Sequence, residues 1–221
     1  RVTIGQFFDH GHSASTNQME PYAKILVPLD ADGRPHGEEV HREPRGRSPT
    51  RIVPYKHGVK HGTEKLFRRS PAGKLYTEKE IPWKDGTMAG AIRTHYPDGA
   101  VRSETQVVDG VPTGASKTYD RKGGVLRTLT LKAGKPHGVR KDFFSGTKQP
   151  RRVIPYEEGK VNGVAKEYYA NGQLKREVPF RMDVRHGMEK RFEADGATAG
   201  ARYWLDGEEV SKKEYEAAQQ E

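Results

Sequence analysis

Four histidines, His36, His61, His137 and His186, each stand one residue before a glycine. A histidine row invites a metal or proton-transfer reading, because imidazole ligates transition metals and titrates near neutral pH. Spacing argues against it. Ligands must converge within about 2.1 Å of one ion, whereas equivalent positions one two-strand repeat apart lie about 10 Å apart. The histidines therefore read as turn residues. A second row consists of Lys65, Arg93, Lys117, Lys141, Lys166 and Lys190, each three residues after a glycine. Cations set about 10 Å apart along one face would suit an acidic or polyanionic partner. The competing reading is a solvated surface whose lysines block edge pairing and lay their stems on neighbouring aromatics. No acid, base and nucleophile stand out as a set, and no phosphate-binding glycine loop precedes a helix. Cysteine is absent, which removes disulfides, thiol catalysis and Cys-ligated zinc. The sequence predicts no catalysis, no metal and no required cofactor.

The elements that carry these rows follow from a repeat. A Gly-x-x-x-Gly pair recurs at Gly33/Gly37, Gly58/Gly62, Gly86/Gly90, Gly110/Gly114, Gly134/Gly138 and Gly159/Gly163, and a seventh copy has Asp183/Gly187. The first positions are offset by 25, 28, 24, 24, 25 and 24 residues, a period that marks a repeat array. From the second glycine, the third position is basic and the fifth is Phe67, His95, Tyr119, Phe143, Tyr168 or Phe192. Columns confined to odd positions have the period of a strand, whose successive side chains point to opposite faces. Pro97-Asp98-Gly99 and Ala170-Asn171-Gly172 supply a hairpin turn, so a second strand must follow. Three residues before the next copy stand Tyr55, Trp83, Val107, Leu131, Tyr156, Phe180 and Trp204, with Pro54, Pro82, Pro155 and Pro179 just ahead in four copies. Proline cannot donate to a ladder, so pairing should break there.

These features predict an all-β, elongated array of about seven antiparallel β-hairpins over 24–210. Residues 1–23 lie outside the repeat and read as an irregular N-terminal arm. Ser211-Lys212-Lys213-Glu214 is a capping box, predicting a short C-terminal helix through Gln220 in a 211–221 cap. Extra turn residues from Arg42 to Arg51 form an inserted loop that adds Arg45, Arg47 and Arg51 to the expected partner-binding bases. Among 221 residues only 33% are hydrophobic, lean for a thick core, and no apolar run reaches the roughly 18 needed to cross a bilayer. The formal charge is +9, yet 30 acidic residues are dispersed along the chain, so nucleic acid is the weaker partner. Arg1 is not a start methionine; a trimmed chain that has lost a signal peptide is expected, placing it in the periplasm, with the cytoplasm as the alternative.

Stretches such as Gly159-Lys160-Val161-Asn162-Gly163-Val164-Ala165-Lys166-Glu167-Tyr168-Tyr169-Ala170-Asn171-Gly172-Gln173-Leu174 resemble a MORN-type repeat, and more closely the variant found in YwqK-family antitoxin proteins. The resemblance covers about residues 33–210. It implies a non-catalytic antitoxin or immunity protein that binds a cognate bacterial toxin, some relatives of this kind standing beside secreted antibacterial effectors including lipases. The alternative it carries is a basic MORN scaffold lying on anionic phospholipid. Asp183 in place of a glycine, His95 in the aromatic column and Val40 in place of a base depart from the pattern.

Overall fold

A computed structural model of the chain describes residues 2–5, 25–43 and 48–220. It is 65% strand and 3% helix, and all its named strand pairings are antiparallel. The chain divides into two compact units, Arg1–Val101 with Val107–Gly110, and Arg102–Gln106 with Val111–Glu221. The first holds β1 (Val2–Gly5), β2 (Ile25–Pro28), β3 (Gly37–Arg42), β4 (Pro49–Lys56), β5 (Val59–Lys60), β6 (Gly62–Arg69), β7 (Leu75–Lys84), β8 (Thr87–Met88) and β9 (Gly90–His95), while β10 (Val101–Val108) is divided between the units. The second holds β11 (Val111–Tyr119), β12 (Val125–Lys132), β13 (Lys135–Phe143), β14 (Pro150–Glu157), β15 (Lys160–Val161), β16 (Gly163–Tyr168), β17 (Leu174–Arg181), β18 (Val184–Arg185), β19 (Gly187–Phe192), β20 (Thr198–Leu205), β21 (Glu208–Val210) and the helix α1 (Lys212–Ala217).

All seven expected hairpins form, and the Gly-x-x-x-Gly motif joins one to the next through two different glycine roles. The first glycine completes a two-residue turn. His57 and Gly58 both take positive φ, 47° and 86°, the conformation whose twist matches antiparallel strands. In the seventh copy Asp183 does this at φ 76°, which explains how that copy survives without its glycine. The second glycine is a bulge. At Gly62, φ is 109° and a side chain would stand 3.2 Å from the Pro54 ring, while the His61 N–H donates to the Pro54 carbonyl at 3.0 Å. The ladder thus breaks at the proline: β4 pairs with β6 only at Arg51↔Leu66 and Ile52↔Lys65, then with β5 at Tyr55↔Lys60. Ala89, Asn162 and His186 repeat this amide-to-proline bond at Pro82, Pro155 and Pro179.

Two end assignments change. Val2–Gly5, expected to be irregular, is a strand paired with Ile25–Pro28, from Val2↔Pro28 to Gly5↔Ile25. Its Val2, Thr3 and Ile4 are β-branched and suit that role although they lie outside the repeat. The rest of the expected arm, 6–23, lies outside the described residues. The helix ends at Ala217 rather than Gln220. Both halves of the capping box form, and the last turn carries no base to complement the carbonyl end, so the helix stops after two turns. Tyr215 seats it against Tyr203 of β20, ring centroids 5.2 Å apart.

The core is thin. Among the described residues the buried apolar side chains are Val53, Val107, Val178 and Trp204, and three carboxylates, Glu64, Asp142 and Glu189, are equally buried.

Candidate functional site: two unlike faces

Register turns the basic column into a straight row. In the second unit Lys117 lies opposite Thr128, Thr128 opposite Lys141, Lys141 opposite Val153, Val153 opposite Lys166, Lys166 opposite Glu177, and Glu177 opposite Lys190. Every second strand therefore carries a lysine on one face, at a spacing of about 10 Å. In the first unit Lys65 and Arg93 flank Glu80 in the same manner. Lys65, Arg93, Lys117, Lys141 and Lys190 are exposed and Lys166 is half-buried. Among the described residues, Lys166 is the member of the second unit's row that is ion-paired, to Glu177 at 3.0 Å, which holds its ammonium above the usual lysine range.

Arg51 does not join this row. It neighbours Ile52, whose partner is Lys65, and so points to the opposite face, where its Nε donates to Glu64 Oε1 at 2.7 Å. Arg45 and Arg47 lie outside the described residues.

The opposite face is built from ion pairs within and between strands. Arg127 and Arg140 both donate to Asp142, at 2.5 and 2.7 Å; Arg152 and Arg176 share Glu167, each at 3.4 Å; Arg191 donates to Glu189 at 2.8 Å. Burial alone would raise the carboxyls of Glu64 and Asp142. Arg51, Lys60 and the Trp83 indole for the first, and Arg140 and Arg127 for the second, hold both below the usual range.

The sequence reading passed over these carboxylates as scattered acids, yet a signal for them exists within each copy. Two residues after the second glycine stand Glu39, Glu64, Ile92, Ser116, Arg140, Ala165 and Glu189. Where this position is charged, the hairpin's closing column holds a ring with a polar handle: Tyr55, Trp83, Tyr156 or Trp204. Trp83 Nε1 donates to Glu64 at 2.8 Å and Trp204 Nε1 to Glu189 at 3.1 Å; Tyr55 and Tyr156 bond Glu39 and Arg140. Where it is uncharged, the column holds Val107, Leu131 or Phe180, which need no partner. The ring stands opposite the second glycine, as Trp83 does to Gly62 and Trp204 to Gly187.

Three of the four histidines brace turns; His137, expected in a turn, instead lies inside β13 opposite Thr130, with its buried Nδ1 unpartnered among the described residues. The next turn's first residues, His57, Asp85 and Asp206, are held by Nδ1 of His36, His61 and His186: the first through its amide at 3.3 Å, the other two through their carboxylates at 3.1 Å each. Because the first of these is itself a histidine, Asp30, His36 and His57 bring donor atoms within 4.8 Å of one another. That is closer than equivalent positions one repeat apart, since His57 opens the adjoining turn. Internal bonds account for the arrangement: His57 Nδ1 lies 3.0 Å from Asp30, whose carboxyl this contact and the Arg34 amide lower to about 2. Arg34 Nε stands 3.4 Å from the same Asp30 oxygen, where it would oppose a cation.

A family model described as a MORN repeat variant matches residues 161–182, the stretch that carries Gly163, Ala165, Lys166 and Phe180. No curated protein matches the chain. The chain therefore carries a MORN repeat, a general repeat and binding scaffold.

Proposed function

We propose that this chain is a non-catalytic immunity protein that binds and neutralises a bacterial toxin in the periplasm, an antibacterial lipase-type effector being the class we favour. One observation carries the reading: Lys117, Lys141 and Lys190 stand on one straight row without an ion-pair partner among the described residues, while the opposite face places most of its arginines on carboxylates. A row of unneutralised cations is costly to the isolated protein and useful to a complex, because it steers an acidic surface into register. The sheet face is extended, so affinity comes from many repeats acting together. The same row also suits anionic phospholipid, the second reading.

The test co-expresses the chain with the product of each neighbouring gene that is toxic when expressed alone. Parent protein should protect cells, and the variant with Lys117, Lys141 and Lys166 all changed to Glu should not. Vesicles of anionic phospholipid form the other arm. Binding that appears only there, and collapses between about 0.05 and 0.5 M salt as the Debye length falls below about 5 Å, assigns the row to a membrane surface and rejects immunity.

A further inference from the structure

The face opposite the lysine row has one break in its pattern. Two residues after the second glycine, Ala165 is the smallest residue of that column. Elsewhere the position is filled by Glu39, Glu64, Ile92, Arg140 or Glu189, or closed by Ser116, whose hydroxyl bonds Thr105 at 2.9 Å. Ala165 lies opposite Val178. Around it opens a hollow of about 230 Å³ floored by Ile154, Val161, Val178 and Phe180. Its lining also holds Arg152, Arg176, Arg185 and Lys166, against the single lining carboxylate Glu167.

We infer that this hollow takes one apolar side chain from an acidic segment of a protein partner. The apolar part of the lining is aliphatic and aromatic, so it gains from burying an apolar side chain. The rim sets the surrounding charge. Glu167 is divided between Arg152 and Arg176 at 3.4 Å each, and Arg176 Nη1 also stands 3.9 Å from Glu189 Oε1, so Arg152 is the one of the two with a single shared carboxylate and guanidinium donors to spare. Arg185 is held by stacking over Trp204 at 4.5 Å and has no carboxylate partner among the described residues. Three guanidiniums against one carboxylate call for carboxylates on the incoming chain, and Arg is suited to meet them in pairs. In an extended segment, side chains two residues either side of the anchor point the same way, which is where the acids belong. A bare hydrocarbon would leave this charge unanswered. The inference rests on the reading of the chain as a protein-binding scaffold, and on an acidic partner, but not on the lysine row.

The probe is a synthetic peptide, acetyl-Glu-Ser-Leu-Ser-Glu-amide, titrated into the full chain and followed by methyl NMR of Ala165, Ile154 and Val178. A control peptide carries Ser in place of Leu. Saturable shifts at these methyls, an affinity at least about ten-fold higher for the Leu peptide, and loss of that preference in Ala165→Leu are expected. Arg185→Gln, which leaves the floor untouched, should weaken the Leu peptide several-fold and flatten its salt dependence. Equal binding of the two peptides, no saturable binding, or shifts that follow anionic vesicles but not the peptide would each overturn the proposal. A variant with Lys117, Lys141 and Lys190 changed to Glu, which spares Lys166 because it lines the hollow, separates the two readings. It should bind the Leu peptide within about two-fold of the parent even where it fails to neutralise the toxin; a parent that neutralises the toxin but ignores the peptide removes the hollow and leaves the immunity reading standing.

Discussion

Glu64 is the residue whose removal the structure prices most clearly. Its side chain is 2% exposed as a residue, its Oε1 accepts from Arg51 Nε at 2.7 Å, and its Oε2 accepts from Trp83 Nε1 at 2.8 Å with Lys60 Nζ 3.5 Å away. Glu64→Gln keeps the shape and an oxygen for Trp83 but turns an NH₂ toward the Arg51 donor. The lost charge-assisted bond is worth about 1.5–3 kcal/mol, and a buried donor left facing another donor adds about 1–3 kcal/mol. Water reaches Arg51, whose side chain is 40% exposed, so the upper end is discounted to a total of about 2–4 kcal/mol. For a chain of this length each kcal/mol moves the melting temperature by about 2–4 °C, giving a fall of roughly 4–16 °C. Thermal melts followed by circular dichroism and by tryptophan fluorescence measure it, the second because Trp83 donates to the altered side chain. Lys65→Ala, on the other face of the same strand, should move the midpoint by less than about 2 °C, as exposed substitutions away from special features do. If Glu64→Gln melts with the parent, the buried carboxylates are passengers and the ion-pair face does not hold the hairpins together.

Acid should unfold the protein by the same network. The carboxyls of Glu64 and Asp142 are depressed in the fold, so the unfolded chain takes up protons first; the stability they give is present above their ordinary values of 4.5 and 3.8 and is lost as pH falls through and below them. A melting-temperature series between pH 7 and 3 should therefore be flat at first and drop steeply below about pH 4.5, with a shallower drop in Glu64→Gln. Gly187→Ala should cost more than Gly99→Ala in urea denaturation. Both glycines have positive φ, 116° and 93°, but a side chain at Gly187 would stand 2.9 Å from Pro179 whereas nothing lies within 4 Å at Gly99; strain alone is worth about 1–3 kcal/mol and the clash adds to the first.

The repeat was legible because its columns sit at odd positions and its turns carry glycine, both consequences of local backbone geometry. The lysine row followed from the same columns, since register in a hairpin array is set by the turns. Arg51 was misplaced for a related reason. Counted as part of an inserted loop, it lies inside β4, one residue from the Lys65 row, and a shift of one residue is a change of face. The buried acids were harder to see, because a carboxylate reads as exposed until its partners are known. For Glu64 and Glu189 the partner is diagonal, on the returning strand, where a tryptophan takes the place of Val107, Leu131 or Phe180. Asp142 escapes even that rule: Arg140 fills its copy's column, and the acid sits two residues on, where Arg127 reaches it from β12. The hollow at Ala165 was hidden too, since one small residue in a varied column has no meaning until its neighbours are placed.

Isothermal titration of the chain against the toxin from which it protects cells in the co-expression test, parent and lysine triple variant in parallel, bears most directly on the central claim. The account predicts a saturable complex with the parent that largely survives about 0.5 M salt, where the Debye length is below about 5 Å, and an affinity at least about ten-fold lower, or 1.4 kcal/mol, for Lys117→Glu, Lys141→Glu and Lys166→Glu combined, with the circular dichroism spectrum unchanged. A triple variant that binds the toxin as tightly as the parent would contradict it and reduce the basic row to a solvated surface.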